Sequence, residues 1–161
     1  MVTNVRPTVR PVAESDLDAL RAFPDADKVD GTFAATGRDE AIWAVAEIDG
    51  EVVASAVLDL VSDLRPEVKR IWVPRAQRRR GLGSAVCGFL EERARQLGHS
   101  ACHMAIDPEN RMAIPMAIDL GYSVTGDHWF VENLDEVHQD STGAPMSGTN
   151  LAIYRKSLTM N

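Results

Sequence analysis

Cysteine is scarce in this chain, with two residues, Cys87 and Cys102, in 161. Two thiols build no disulfide framework for a chain this long, and neither lies in a CxxC pair or beside a histidine cluster of zinc-ligand spacing. A disulfide-stapled scaffold and a zinc domain are therefore excluded, no metal is expected, and a reducing, cytoplasmic setting is the simplest expectation. Long apolar runs are missing too. No stretch approaches the roughly 20 residues that span a bilayer, and the first eleven residues carry Arg6, Arg10 and two prolines instead of an apolar core. Neither membrane nor secretory signal is expected. Positive charge is in deficit, 17 Lys and Arg against 24 Asp and Glu for a formal charge of −7. That speaks against binding to nucleic acid or an anionic membrane as the main activity. Repeats and low-complexity tracts are absent as well. What is present, 45% hydrophobic and 25% charged residues, is the composition of an ordinary folded protein, and the length fits a single domain over 1–161.

The pattern of apolar residues predicts alternating strands and helices. Val9 to Val12 reads as a strand, and the acids Glu14 and Asp16 open a helix marked by Leu17, Leu20 and Phe23. Lys28 to Asp39, with Gly31 and Gly37, reads as either loop or short helix. Ala41 to Ile48 and Val52 to Leu60 are rich in Val, Ile and Ala, and Asp49-Gly50 between them signals a β-hairpin. Val68 to Val73 is a further strand with Val68, Arg70 and Trp72 on one face and Lys69, Ile71 and Val73 on the other; Pro74 ends it. From Gly81 the period becomes helical, with Leu82, Ala85, Val86, Phe89, Leu90, Ala94 and Leu97 on the apolar face, Glu91, Glu92, Arg95 and Gln96 off it, and Gly98 as the stop. Ala101 to Ile106 is a short buried strand, and Arg111 to Leu120 a helix closed by Gly121. Pro115 inside that helix predicts a kink. Strands over Tyr122 to Val131 and near Leu151 to Lys156 flank an acidic, aperiodic loop, Glu132 to Asn150.

The chemistry concentrates in Arg75 to Gly83, RAQRRRGLG, between a strand and a long amphipathic helix. A helix N-terminus presents unpaired amides and the positive end of the macrodipole, and Gly81 and Gly83 lack the Cβ that would hold phosphate oxygens away. Such a turn can cradle a pyrophosphate. Between Val68 and Leu90 lie six basic residues and no acid, against a whole-chain charge of −7, so the remainder stands at −13. A phosphate-loop ending in Gly-Lys-Ser/Thr is absent, and the dinucleotide fingerprint GxGxxG fails because Val86 takes its third glycine.

The residues here resemble the GNAT superfamily of acyl-CoA-dependent N-acyltransferases. Its acetyl-CoA signature, Arg/Gln-x-x-Gly-x-Gly/Ala, is matched by Arg78, Gly81 and Gly83, and its lead-in by Glu67, Val68, Lys69, Arg70, Ile71, Trp72 and Val73. A second block, Asn-x-x-Ala before a helix ending in Gly-Phe/Tyr, is matched by Asn110, Ala113, Gly121 and Tyr122. The resemblance implies an α/β (α+β) fold with a mixed, mostly antiparallel sheet of six to seven strands flanked by helices. It implies acetyl-CoA as acyl donor, with the pantetheine arm adding to the strand at Ile71, Trp72 and Val73. The pyrophosphate would rest on amides of Arg78, Arg79, Arg80, Gly81, Leu82 and Gly83, Asn110 would help hold pantetheine, and Arg75 or Arg78 would meet the 3′-phosphate. Members of the family frequently dimerise, so a homodimer is open.

The implied reaction is attack of a primary amine, of a small molecule or peptide, on the thioester carbonyl through a tetrahedral species. A strand amide such as that of Val73 would stabilise the oxyanion. Glu67 occupies the position of a catalytic glutamate in some members; the alternative reading is a strand-start carboxylate paired with Lys69 or Arg70. His103, on a strand whose alternate residues Cys102, Met104 and Ile106 look like core, is the second candidate base. The position at which many members carry a general-acid tyrosine falls on Ala117, which leaves Tyr122 or water to protonate the thiolate, although Tyr122 also fits a packing role. Ala117 and Pro115 motivate the alternative of a catalytically inactive acyl-CoA-binding module with a sensing or regulatory role. Trp43 and Trp129 read as packing residues or as a pocket rim. Asp59, Asp63, Glu132, Asp135, Glu136 and Asp140 would draw a cationic acceptor. Cys87 and Cys102 read as small core residues, His99 and His138 as exposed.

Overall fold

The structure, a computed structural model, describes residues 6–78, 81–131 and 149–158. Its chain forms two compact units, one running to Cys102 and resuming at Ser157, the other spanning His103–Lys156.

The first unit begins with β1 (Thr8–Pro11), a 3-10 turn at Glu14–Asp16 and the short helix α1 (Leu17–Leu20). Helix α2 (Val29–Gly37) precedes the strands β2 (Ala41–Ile48), β3 (Glu51–Asp59) and β4 (Glu67–Trp72), and a 3-10 turn at Arg75–Gln77 leads to α3 (Leu82–Gln96). The strands lie in the order β1-β2-β3-β4, each antiparallel to the next. Asp49 and Gly50 both take positive φ, 52° and 82°, which is the twist a two-residue hairpin demands. Because side chains alternate across the pleat, β2 and β3 send Trp43, Val45 and Val57 to one face, where they pack with Leu17, Leu20 and Val29 of the helices. The opposite face carries Ala44, Ala46, Ala54, Ala56 and Leu58, nearly all at 0% exposure, and its small side chains let α3 lie close on β2 and β3.

One open reading is decided in this unit, and the expected faces of α3 and β4 are corrected. The open segment Lys28 to Asp39 is helical over Val29–Gly37, because Val29 and Thr32 are buried against the sheet face in spite of two glycines. In α3 the buried stripe is Leu82, Val86, Cys87, Leu90, Glu91 and Ala94, so Glu91 joins the core. Leu97 is 57% exposed, since it falls beyond the last helical residue, where Gly98 at φ 94° turns the chain. In β4 the simple alternation fails. Lys69 pairs with Val57 and Trp72 with Ser55, three residues against two, so Arg70 is the extra residue of a β-bulge with φ 52°. Val68, opposite Leu58, and Trp72, opposite Ser55, consequently face opposite sides.

The second unit holds most of β5 (Ala101–Ile106), then α4 (Ala113–Asp119), β6 (Ser123–Val131) and β7 (Thr149–Ser157), in the strand order β5-β7-β6, with β6 and β7 antiparallel. Pro115 produces no break. Because α4 starts at Ala113 rather than Arg111, proline sits in the first turn, where its missing N–H would have had no helical partner. Gly121, φ 95°, closes α4 with Tyr122 N–H donating to the Ala117 carbonyl at 2.9 Å. The acidic residues Glu132, Asp135, Glu136 and Asp140, with His138, lie outside the described residues. Among those described, no helix is long and apolar enough to cross a membrane.

Candidate functional site

The strand-to-helix turn is built from backbone. Pro74 leaves β4, the 3-10 turn Arg75–Gln77 is held by Gln77 N–H on the Pro74 carbonyl at 2.8 Å, and Gly81 enters α3 in the left-handed conformation, φ 73°. That φ suits glycine, whereas an L side chain would be strained. The first amide bonded back along α3 is that of Ala85, to the Gly81 carbonyl at 3.0 Å, so the amides of Leu82, Gly83 and Ser84 have no intrahelical acceptor. A Cβ added at Gly83 would meet only Val73 Cγ2 at 4.0 Å, and one at Gly81 nothing within 4 Å. The space above both glycines is open to a ligand rather than filled by protein. Arg75 and Arg78 are exposed, and Arg78 Nε donates to the Val73 carbonyl at 3.2 Å. A phosphate here would meet amides that the helix itself leaves without an acceptor, the positive end of a fifteen-residue helix and two arginines, so the residues present fit the polyphosphate of a CoA thioester. Arg79 and Arg80 lie outside the described residues.

β4 leads from this turn to the base candidate. Glu67 is its first residue, 6% exposed, and pairs with Asp59 on the sheet face that carries Trp43 and Val57. Lys69 does not serve Glu67: its Nζ lies 2.6 Å from Asp59 Oδ2. Burial tends to raise the Asp59 pKa, but the bonds from Lys69 and from the amides of Val61 and Ser62 outweigh it, leaving the group below its ordinary value. Asp59 is thus committed to protein partners and is not an acid waiting for a cation.

A cavity of about 140 Å³ opens on the same sheet face. Phe23 and Trp72 stack at its edge, ring centroids 3.4 Å apart, and Trp43 lines it with its Nε1 buried and without a hydrogen-bond partner among the described residues. A buried donor left unpaired costs about 1–3 kcal/mol. Arg70 reaches the cavity because the bulge turns it there; its Nη1 donates to Thr32 Oγ1, which in turn donates to the Lys28 carbonyl at 2.8 Å. Ile71 and Trp72 belong both to the expected pantetheine strand and to the cavity lining. Nothing in the alternation of β4 marks Arg70 as a site residue, since its placement depends on the bulge.

The remaining candidates lie in the second unit. His103 is half-buried, with Nδ1 lacking a hydrogen-bond partner among the described residues, between the buried Cys102 and Met104. Tyr122 is 2% exposed, its ring 5.9 Å from Lys156 Nζ, an environment of packing. Asn110 is exposed, and its Oδ1 accepts from the amides of Met112 and Ala113 at 3.2 Å each, so the carboxamide caps α4 and keeps its NH₂ for another partner. Ala117 is wholly buried. Back in the first unit, His99 is half-buried rather than exposed, and Cys87 and Cys102 are buried core.

Comparison with known proteins follows this geometry. The model of the acetyltransferase (GNAT) family matches residues 9–122. Among solved structures the chain is similar to an N-acetyltransferase of Staphylococcus aureus Mu50, at TM-score 0.71 and 18% identity over 96% of this chain and 99% of that one. It is similar to the ribosomal-protein-S18-alanine N-acetyltransferase of Escherichia coli, at 0.66 and 21% over 97% and 96%. A third likeness is to the PaiA N-acetyltransferase of Thermoplasma acidophilum in complex with coenzyme A, at 0.66 and 11% over 94% and 99%. No curated protein matches. The α/β class and the seven strands, antiparallel from β1 to β4 and between β6 and β7, are those expected.

Proposed function

The chain belongs to the GNAT acetyltransferase family and is an acyltransferase, and from that premise we propose that it moves an acetyl group from acetyl-CoA to a primary amine of a small molecule or peptide by direct attack. The observation that carries this reading is the turn from Pro74 to Gly83, where positive-φ Gly81 and amides without an intrahelical acceptor at the head of α3 stand directly after β4. Bound acetyl-CoA supplies an activated thioester carbonyl. The amides of Leu82, Gly83 and Ser84 bind its phosphates, and the exposed Arg75 and Arg78 add charge-assisted donors. The extended backbone of Ile71 to Val73 takes the pantetheine arm as an added strand, with Arg78 Nε leaving the Val73 carbonyl to make room.

Glu67 accepts the proton that the ammonium form of the acceptor must lose, directly or through water, since ammonium has no lone pair to attack with. The N–C bond forms first and pushes the carbonyl pair onto oxygen, giving a tetrahedral species; its collapse restores the carbonyl and breaks the C–S bond, whose electron pair leaves on sulfur. The amide of Val73 stabilises the carbonyl oxygen as charge develops. Ala117 offers no proton, so water reprotonates the thiolate. A thiol-release assay with acetyl-CoA and a panel of primary amines tests the reading: acceptor-dependent release supports it, and release at the hydrolysis rate for every amine, with CoA bound, sinks it.

A further inference from the structure

The cavity beneath the β4 bulge carries chemistry that the acetyl-transfer reading alone does not use. Two cations and a single acid line it among the described residues: Lys28 and Arg70 against the exposed Asp25. Elsewhere in the first unit, basic side chains near this face are neutralised at close range, Arg10 by Asp16 and Glu47, Arg21 by Asp18 and Asp30, and Lys69 by Asp59. Neither Arg70 nor Lys28 has a carboxylate within ion-pair distance among the described residues. Among the described residues the Arg70 guanidinium donates only to Thr32, whose own proton is committed to the Lys28 carbonyl, so Thr32 orients the group without neutralising it. A guanidinium has five donors, and among the described residues the rest of this fork has no acceptor. The buried, partnerless Nε1 of Trp43 is a second donor on the lining residues. A half-buried cation attracts an anion and repels an approaching ammonium, and a forked one matches a carboxylate with two parallel bonds.

Apart from the hydroxyls of Thr32 and the buried Ser55, the rest of the lining is apolar, Leu20, Phe23, Val29, Val57 and Trp72 among it. At about 140 Å³ the cavity is comparable to the roughly 150 Å³ engineered void that holds benzene. We infer that the acceptor is an amino carboxylate with an apolar side chain, its carboxylate held by Arg70 and its side chain in the cavity, while its amine meets the thioester beside Ile71 and Trp72. The inference rests on the acetyl-transfer reading, and it selects within primary amines against polycations, to which the acidic composition had pointed.

Two measurements test it separately from that reading. In initial-rate assays at saturating acetyl-CoA, phenylalanine is compared with phenylalaninamide and with spermidine. The carboxylate is expected to win by about tenfold or more in kcat/KM, the usual scale of a charge-assisted bond. Equal or better turnover of the carboxamide or of spermidine leaves acetyl transfer standing and overturns the inference. Independently of turnover, quenching of tryptophan fluorescence, to which Trp43 and Trp72 contribute, reports binding of N-acetylphenylalanine and N-acetylphenylalaninamide. The carboxylate should bind about tenfold tighter; equal affinities overturn the inference even if no amine is a substrate. Arg70→Gln should erase the difference through KM, and Arg70→Lys should keep part of it. A preference unchanged in a folded Arg70→Gln protein, checked by circular dichroism, also overturns it.

Discussion

The turn ahead of α3 and the cavity beneath the β4 bulge lie on the same strand and are made of different material. The turn from Pro74 to Gly83 is ten consecutive residues whose proposed contacts are chiefly backbone amides, assisted by Arg75 and Arg78, with glycine needed where φ is positive or a ligand must come close. The cavity draws side chains from α1, α2, β2, β3 and β4, residues up to about fifty positions apart, and only their identities set its charge. A site of amides recognises what all its ligands share, the phosphates of one cofactor. A site of side chains can change its acceptor by one substitution while the donor end stays as it was. The split in charge has the same logic: six basic residues surround the turn in a chain of net charge −7, which suits a compact polyphosphate and repels a phosphate polymer.

Substitutions that separate the two sites test this contrast. The largest expected effect is at Gly81→Asp, which strains a φ of 73° and sets a carboxylate beside the phosphate site; CoA affinity should fall by about 100-fold or more while circular dichroism shows the fold retained. An unchanged CoA affinity, by equilibrium titration, would place phosphate binding elsewhere. Next, Glu67→Gln should lower kcat by about 100-fold, leave CoA affinity near the parent value and shift the rate profile to higher pH. A parent-like rate removes Glu67 from the mechanism.

Asp16→Asn touches neither site and calibrates what a purely structural loss looks like. Arg10 grips Asp16 with two bonds, 2.7 and 2.9 Å, and Asp16 also accepts from the Ala13 amide, so the carboxyl titrates below its ordinary range, chiefly through the Arg10 bond. A depressed folded pKa means the contribution is present above the unfolded value of about 4 and fades as pH falls through the folded one. Denaturant unfolding at pH 7 should show a loss of about 1–3 kcal/mol that shrinks in acid, with parent-like Kd for CoA. The smallest effect is expected at Thr32→Val, which leaves the Arg70 guanidinium without its hydroxyl: acceptor KM should rise about threefold with kcat and CoA affinity held. A change in CoA affinity instead would show that the two sites are not separable.

Legibility follows the same division. The hairpin at Asp49-Gly50 and the run of α3 were readable because each is decided within a few residues, by positive-φ turn chemistry and by a helical apolar period. Helix α2 was not, because nothing in Gly31, Thr32 and Gly37 favours a helix locally; the sheet face that buries Val29 and Thr32 does. Glu91 is buried and Leu97 exposed, against expectation, because Glu91 falls on the stripe of α3 that meets the core while Leu97 lies past its last helical residue. Pro115 was read as a kink because the sequence pattern placed the helix start two residues too early. Glu67 and the turn could be named from the motif, but the orientation of Arg70 could not.

By itself, then, the sequence determined the family, the α/β order and the phosphate-binding turn, since each is written in contiguous residues whose backbone conformation is a local property. Tertiary structure alone decided the acceptor side. One bulge residue in β4 carries Arg70 off the face that Val68 shares with α3 and onto the face where α2 supplies Thr32, and only there do a guanidinium, an unpaired indole N–H and an apolar cavity come together. A period of two cannot predict its own interruption, because the interruption is set by pairing with a neighbouring strand.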